Sequence, residues 1–486
     1  MPVPARTPVI VGRAQIVDTE PDLDNPTDPI QLMTHAAAAA VADAGIDASS
    51  IDLVGVVAGL FRHPNPGRAI GDALGISASA TSVLTTWGGN TPIAFVGELG
   101  DRLARGEADM IVMVGGETGL TRAALRKAGL PSPALIRESP IEEPASWGAA
   151  LTMGANADVA RGGELPRNTY AVFDSARRAA AGHTLDEARD AAATLWAGYS
   201  AVAAANPDLA VDAMNADEIR EPSPANRMVS WPYTKAMCAN NTVDHGGALI
   251  LTTHERAEAL GVPADHRVYL RDLVTAADSD TFLTRADVAR VPGLDNAVAA
   301  LRERWGDLAT LDHIDLYGCF PSMVAYTAEA MGLDPGRELT VAGGLGFMGA
   351  PLNFAAGQAL IAMVRRLREH PGELGLVQGN GGHATKHALG VFSTSPPDEL
   401  VLTRTAESVG DQELRADDDA AGDAVIDGIT VEYERSGPTR AVAICRFVDG
   451  RGRLWANSSD PAILRAAVTE ELVGTSVSVV GGEFSR

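Results

Sequence analysis

The first 117 residues alternate short apolar runs with longer stretches of helical spacing. The apolar runs predict strands at residues 9–12, 53–58, 82–86 and 110–114. Between them, apolar residues recur every three to four positions over residues 29–44 and 91–105, which predicts two amphipathic helices. Strands that alternate with helices in this way are typical of an α/β fold.

The same order of elements occurs a second time, about 260 residues later. Residues 51–55 (IDLVG) return as residues 314–318 (IDLYG), and each copy follows a helical run. Four further pairs of segments follow in the same order: 72–75 with 329–332, 88–89 with 343–344, 106–107 with 372–373, and 115–116 with 381–382. A solenoid would have a far shorter period, so the repeat predicts two βαβαβ halves that pack face to face.

Composition shifts divide the chain into four regions. Residues 1–117 form the first part of the N-terminal half, and residues 241–395 form the C-terminal half. Between them, residues 118–240 contain Ala-rich helices interrupted by prolines, which predicts a helical insertion. After Pro396 and Pro397, residues 396–486 include runs of alternating polarity at 429–433 and 441–447, which predict a small separate β domain.

Charge and cysteine content exclude several classes of function. With 63 acidic and 39 basic residues the net charge is -24, which disfavours nucleic acid as a partner. The three cysteines, Cys238, Cys319 and Cys445, are odd in number and lack metal-ligand spacing, which is typical of reduced thiols. No apolar run approaches the roughly 20 residues of a membrane span. We therefore expect a cytoplasmic protein without a membrane partner and without a metal.

Several motifs resemble the thiolase superfamily, and in particular its sterol-carrier-type branch. They are GEADMIVMVGGE at 106–117, YGCF at 317–320, WPYTK at 231–235, GGLGFMGAP at 343–351 and GGHATKH at 381–387. The resemblance spans roughly residues 5–395 and is strongest to the actinobacterial acetyl-CoA acetyltransferase-like group, which has an extra C-terminal domain. It implies a thiolase-like fold with duplicated βαβαβ halves, a helical insertion and a small C-terminal antiparallel β-barrel. It also implies coenzyme A, as an acyl-CoA substrate, and a place in lipid metabolism.

The residues that carry out thiolase chemistry are replaced in this chain. Alignment of the helix at 91–105 places Trp87 where the family has its nucleophilic cysteine, and an indole cannot carry an acyl group. The family's Gly-His-Pro histidine falls on Ala350, and the residue that opens its second-half motif falls on Tyr317. The last catalytic loop reads GNGGH at residues 379–383, without the usual cysteine. The ordinary acyl-enzyme route is therefore closed at Trp87.

Other polar groups near these positions could support different chemistry. We expect candidate catalytic side chains to converge on the pocket, with Lys386 beside them: Tyr317, Cys319, Asn380, His383 and His387. Backbone N–H groups of Gly88 and Gly89 would form an oxyanion site, and four glycines would approach the thioester: Gly88, Gly89, Gly344 and Gly381. Each side chain could instead be a packing residue. Lys386 and His387 are adjacent on a strand, so they cannot both point inward.

These observations leave more than one hypothesis open. The resemblance implies an enzyme that makes or cleaves a C–C bond of a CoA thioester without the usual cysteines, by aldolase-type chemistry or as an altered acyltransferase. Alternatives are a non-catalytic acyl-CoA or lipid-binding protein, and an aldolase subunit that needs a small partner protein. Basic residues that suit CoA phosphates, but equally a solvated surface, are Arg122, Arg126, Lys127 and Arg137. Whether the chain is a monomer or a homodimer stays open.

Overall fold

The computed structural model describes residues 3–131, 143–150, 156–163 and 165–486. The helices are α1 Pro29–Ala44, α2 Pro66–Leu74, α3 Thr91–Arg105, α4 Gly119–Ala128, α5 Asn156–Ala160, α6 Pro166–Ala181, α7 Leu185–Ala205, α8 Ala216–Arg220, α9 His254–Ala259, α10 Pro292–Trp305, α11 Pro321–Met331, α12 Gly344–Phe347, α13 Ala355–Glu369 and α14 Pro461–Thr469. The strands are β1 Pro8–Asp18, β2 Leu53–Val56, β3 Thr81–Thr85, β4 Met110–Thr118, β5 Ala145–Trp147, β6 Met228–Ser230, β7 Tyr233–Thr234, β8 Asp244–Thr253, β9 Val268–Ala277, β10 His313–Asp315, β11 Leu374–Gly381, β12 Lys386–Ser393, β13 Arg404–Thr405, β14 Ala421–Glu434, β15 Gly437–Phe447, β16 Arg453–Ser458, β17 Ser476–Val480 and β18 Glu483–Ser485.

The predicted duplication is confirmed by the order of the strands. In the first half the order is β3-β2-β4-β8-β1, and in the second half it is β10-β11-β12-β9. In each half, an antiparallel strand follows the parallel strands in the sheet. It is β8 beside β4 in the first half and β12 beside β11 in the second. Among the described residues, no strand pairs with the outer edge of β10, but Leu316 donates a backbone hydrogen bond to the Leu339 carbonyl there at 2.9 Å. Both halves therefore follow one topology.

The two halves meet in two ways. Strands β1 and β9 pair antiparallel at Val9–Tyr269 and Ile10–Val268, which joins the halves edge to edge. Helix α3 of the first half also packs on β11 and β12 of the second, and α13 of the second half packs on β1 and β8 of the first. These two buried helices therefore fill the space between the halves, as the face-to-face prediction required.

Capping residues explain where the two predicted helices of the first half, α1 and α3, begin or end. Helix α1 starts after Asp28, whose carboxylate accepts from the Gln31 N–H at 2.9 Å, and ends at Gly45 with φ of 65°. Helix α3 ends in the same way at Gly106, with φ of 76°.

Strand β4 runs beyond its predicted end because all nine of its residues are buried. A side chain at its Gly115 would come within 2.1 Å of the Phe354 ring.

The insertion contributes strands to both parts of the fold. Strand β5 pairs in parallel with β3, at Thr85–Trp147, and covers the outer edge of the first half. Strand β6 pairs with β14 at Ser230–Glu432, so the insertion is also continuous with the C-terminal sheet. The chain after residue 396 first adds β13 beside β9 and only then enters the last domain.

The C-terminal domain is a closed five-stranded barrel, as predicted. Its strands follow the order β15-β16-β18-β17-β14, and pairing of β14 with β15 closes the ring. All of these pairings are antiparallel except that of β16 with β18, which is parallel at Asn457–Glu483. Among the residues described, no helix combines the length and the apolar character needed to cross a membrane.

A buried arginine fastens the barrel to the second half. Arg453 is 4% exposed, and its Nε donates to Asp427 at 2.6 Å. The same guanidinium donates to the carbonyls of Arg285 and, at 3.2 Å, Ala286, which lie outside the barrel. Helix α6 of the insertion supports β14 as well, since the Ile429 N–H donates to Ser175 Oγ at 2.8 Å. The barrel thus holds the insertion and the second half together.

Replacement of Arg453 should destabilise the protein far more than replacement of an exposed arginine of the same barrel. Arg453→Met should lower the free energy of unfolding by about 3 kcal/mol, because two carbonyls and part of the Asp427 carboxylate lose their buried donor. The matched control is Arg451→Met, since Arg451 pairs with Asp449 at the surface and its side chain is 46% exposed; the free energy of unfolding should barely change, because water screens an exposed ion pair. Urea unfolding followed by circular dichroism measures both, and equal effects would contradict this account of the junction.

Candidate functional site

The loop that leads into α3 lies directly on the ends of β10 and β11. At Gly89 an added Cβ would come within 2.3 Å of Tyr317 Oη and 2.4 Å of the Asn380 carbonyl oxygen. On the facing strand, a Cβ at Gly381 would come within 2.2 Å of Asn90 Oδ1. The backbone of residues 87–90 can approach β11 this closely because glycines stand on both sides of the contact.

The backbone N–H of Gly88, next to Trp87, already donates a hydrogen bond within the protein. The Gly88 N–H donates to Asn353 Oδ1 at 3.1 Å, and Asn353 Nδ2 in turn donates to the Ala58 carbonyl at 2.7 Å. Asn353 lies just before α13 and is 8% exposed. No pattern in the sequence singles out Asn353, although it follows the 343–351 motif by two positions. One of the two donors that we expected to form an oxyanion site therefore has a protein acceptor.

Tyr317, Cys319 and Asn380 lie together in a buried environment. Their exposed fractions are 7%, 6% and 3%, and Asn380 Nδ2 lies 3.9 Å from Cys319 Sγ. Burial raises the pKa of the Cys319 thiol to about 12, against a smaller lowering by the Asn380 hydrogen bond. Burial also raises the pKa of Tyr317 far above its ordinary value. Both groups are therefore protonated at neutral pH.

An aromatic cluster from the insertion covers this group. Tyr170 of α6 stacks on Phe320 with ring centroids 4.8 Å apart, and Tyr233 stacks on Phe320 at 5.4 Å. The Tyr170 hydroxyl accepts from Asn380 Nδ2 at 2.9 Å and from the Ala384 N–H at 3.0 Å. Tyr170 belongs to the site by contact, but nothing in the local sequence of α6 indicates it.

His387 and Lys386 point to opposite faces of β12. The Nε2 atom of His387 lies 2.9 Å from Asp278 Oδ2, and both side chains are buried. Burial tends to raise the pKa of Asp278, but the hydrogen bond and charge of His387, with the charge of Arg285, lower it overall. Lys386 Nζ instead donates to the carbonyls of Ala149 and Ala150, at 2.9 and 2.7 Å. The structure therefore does not bring Lys386 to the Tyr317 group, and it ties His387 to a carboxylate.

The loop with His383 is held from the side of the second half. His383 is 2% exposed, and its carbonyl accepts from Arg285 Nη2 at 3.0 Å. The guanidinium of Arg285 lies over the Phe282 ring, 3.8 Å from its centroid.

At Gly344, another predicted thioester contact, an added Cβ would come within 2.4 Å of the Tyr199 ring. The four candidate glycines thus make close contacts with protein atoms, including the Gly88–Asn353 hydrogen bond.

Two large apolar side chains are exposed near this buried group. Trp87 and Leu60 follow the neighbouring strands β3 and β2, and they are 41% and 44% exposed. Trp147 of β5, partly buried, contacts Phe95 with ring centroids 5.1 Å apart. We call Leu60, Trp87 and Trp147 the apolar rim. It lies at the carboxyl ends of β2, β3 and β5.

The basic residues near the start of the insertion differ in their surroundings. Arg122 Nη1 donates to Glu117 Oε2 at 2.6 Å, so its charge is paired. Burial raises the pKa of Glu117, and the hydrogen bonds from Leu60 and Arg122 oppose that effect. Arg126 and Lys127 are exposed in the last turn of α4. Arg137 lies outside the described residues.

Comparison with known proteins identifies relatives for the whole chain. Residues 407–483 match the family model described as the thiolase-like protein type 1 additional C-terminal domain. The crystal structure of a monomeric SCP2-thiolase-like protein type 1 from Mycobacterium smegmatis is similar over 99% of this chain and 98% of that one, with a TM-score of 0.81 and 28% identity. No curated protein sequence matches.

Two more distant structures share the fold without the same coverage. The dimeric peroxisomal thiolase of Saccharomyces cerevisiae has a TM-score of 0.57 and 14% identity, over 81% of this chain and 98% of that chain. The Ltp2-ChsH2(DUF35) aldolase also has a TM-score of 0.57, with 18% identity over 79% of this chain and 97% of that chain. The similarity over the whole chain and the matched additional C-terminal domain support the thiolase-like superfamily for this chain.

Proposed function

We propose that this protein binds a CoA thioester on the thiolase-like framework and does not perform thiolase chemistry. The proposal rests on residues 87–90, the loop that leads into α3, which we call the α3 entry loop. Trp87 stands at the position of the superfamily's cysteine, and the adjacent Gly88 N–H is bound to Asn353 Oδ1 at 3.1 Å. A substrate carbonyl would have to displace that side chain before it could use the Gly88 donor.

The remaining thiol near this loop is a poor substitute nucleophile. Thiolysis needs a thiolate, a base that creates it and donors for the developing oxyanion. Burial raises the pKa of Cys319 to about 12. At pH 7 only about one molecule in 10⁵ would carry the thiolate, so an attack through Cys319 would be slowed by a similar factor.

The surface beside the loop supports binding. The apolar rim offers Leu60 and Trp87, 44% and 41% exposed, as contacts for an acyl chain. Arg126 and Lys127 are exposed in the same half of a chain whose net charge is -24. Exposed cations on an acidic protein can pair with the phosphates of CoA. An acyl-CoA combines these two requirements, an apolar chain and a polyanionic head.

A second candidate function is C–C bond chemistry without a cysteine. Asn380 Oδ1 is buried and has no hydrogen-bond partner among the described residues. An unpaired buried acceptor costs roughly 1–3 kcal/mol, so it favours a ligand that donates a hydrogen bond there. The hydroxyl of a β-hydroxyacyl-CoA would be such a donor, and Tyr317 lies beside Asn380 at Gly89. An aldolase subunit of this kind could also need a partner protein, and the fold is shared with the Ltp2-ChsH2(DUF35) aldolase.

The chain should not thiolyse acetoacetyl-CoA. Purified protein mixed with acetoacetyl-CoA and free CoA should form no acetyl-CoA above a protein-free sample when analysed by mass spectrometry. A thiolase assayed in parallel is the positive control, and Cys319→Ala should behave like the unchanged protein. Acetyl-CoA that forms with the unchanged protein and disappears with Cys319→Ala would contradict the proposal. Cleavage of a β-hydroxyacyl-CoA that is lost in Asn380→Ala would establish the second candidate instead.

Binding of a long-chain acyl-CoA should depend on the apolar rim. Trp87→Ala and Leu60→Ser should each weaken binding by about tenfold, because each removes apolar surface worth about 1.4 kcal/mol. The matched control is Leu414→Ser, since Leu414 is 64% exposed and lies next to the barrel. Calorimetric titration with a long-chain acyl-CoA below its micelle concentration measures all four proteins. Equal weakening by Leu414→Ser, or no binding by the unchanged protein, would refute the binding role.

A further inference from the structure

Two histidines and a glutamate meet at the edge of the second half that lies opposite the candidate site. His313 begins β10, whose carboxyl end leads to Tyr317, whereas His370 and Glu373 lie between α13 and β11. One ligand atom from each of the three side chains lies within 4.8 Å of the others. His313 Nε2 is 2.6 Å from Glu373 Oε2, and His370 Nδ1 is 3.7 Å from the same oxygen.

The backbone holds these three residues in place. His370 and Glu373 close a tight turn, in which the Glu373 N–H donates to the His370 carbonyl at 3.3 Å. Gly372 makes this turn possible with φ of +93°, and its N–H donates to Thr394 Oγ1 at 2.7 Å. His313 is fixed by the pairing of β10 with β11, where it lies opposite Gly375. Two segments, the start of β10 and the turn before β11, therefore present the three side chains to one point.

We propose that His313, His370 and Glu373 bind one divalent transition-metal ion of the Zn²⁺ class. Two imidazole nitrogens and one carboxylate oxygen suit Zn²⁺ or Cu²⁺, whereas Mg²⁺ and Ca²⁺ prefer oxygen ligands alone. Ligands about 2.1 Å from a tetrahedral ion lie about 3.4 Å apart. The His313–Glu373 pair would open slightly and the His370–Glu373 pair would close slightly to reach that spacing. The His370 and Glu373 side chains are 48% and 42% exposed, so they have room to move and solvent can supply a fourth ligand.

The surrounding charges permit a cation. The positive charge of Arg366 near His313 would repel a cation, but the guanidinium is paired with Glu338 at 3.1 Å. Asp312, the neighbour of His313, adds a carboxylate that accepts from the Leu374 N–H at 2.9 Å. A bound ion would link the end of the central helix α13 to β10 and β11. The ion would thus stabilise the second half at the edge opposite the candidate site.

Metal titration of the full chain tests this assignment. Tag-free protein is treated with EDTA, dialysed and titrated calorimetrically with Zn²⁺. The unchanged protein should bind one ion per chain, and His370→Ala and Glu373→Gln should each weaken binding by more than about tenfold. The control is His183→Ala, since His183 is an exposed histidine of the insertion and should leave binding unchanged. Both test variants change exposed side chains, so the result does not depend on the folding of a His313 variant.

Thermal unfolding gives an independent readout. Zn²⁺ at saturating concentration should raise the Tm of the unchanged protein and of His183→Ala, but not that of His370→Ala, because an ion that binds only the folded state stabilises it. Co²⁺ should give visible absorption bands of a four- or five-coordinate site that disappear in Glu373→Gln. Full Zn²⁺ affinity in either test variant, or no binding up to about 1 mM Zn²⁺ by the unchanged protein, would overturn the proposal.

Discussion

The close contact between the α3 entry loop and the end of β11 determines the rest of the site. Gly89 lies against Tyr317 and Asn380, and Gly381 lies against Asn90, so the backbones of the two halves touch where a substrate would react. That contact directs Gly88 toward Asn353 and leaves Trp87 at the surface. Side chains that remain beneath the loop are buried, and burial keeps thiol and phenol groups protonated. The thiolase-like fold is thus present, with the Cys319 thiol and the Tyr317 phenol beneath the loop both protonated.

The added elements of this chain reinforce that arrangement. The hydroxyl of Tyr170, from the insertion, accepts hydrogen bonds from Asn380 Nδ2 and from the Ala384 N–H. The barrel in turn supports α6 through Ser175 and holds the second half through Arg453. The insertion is therefore fixed on both sides, by the core and by the barrel. A framework of this kind can keep a binding surface while its interior becomes a packed core.

Local sequence predicted the elements, and contacts distant in sequence produced the features that it missed. Helix α1 was predictable because its apolar spacing and its Asp28 cap are both local, and alternation along β12 correctly placed Lys386 and His387 on opposite faces. Asn353 bonds Gly88 from 265 positions away, so no spacing rule connects them. His313 and Glu373 are 60 positions apart and meet only because β10 pairs with β11. The sequence predicts that Gly89 closely approaches a thioester. Only the fold shows that its close neighbours are protein atoms, those of Tyr317 and Asn380.

The most direct test of the central claim is the rate at which iodoacetamide alkylates Cys319 as the pH is raised. Burial places the thiol pKa at about 12, above the ordinary value of 9.0, so the thiolate becomes populated only as the pH rises toward that value. Site-resolved mass spectrometry should show slow labelling that increases about tenfold per pH unit without a plateau up to about pH 10. Rapid labelling in the folded protein that levels off near neutral pH would show an activated thiolate and would contradict the account.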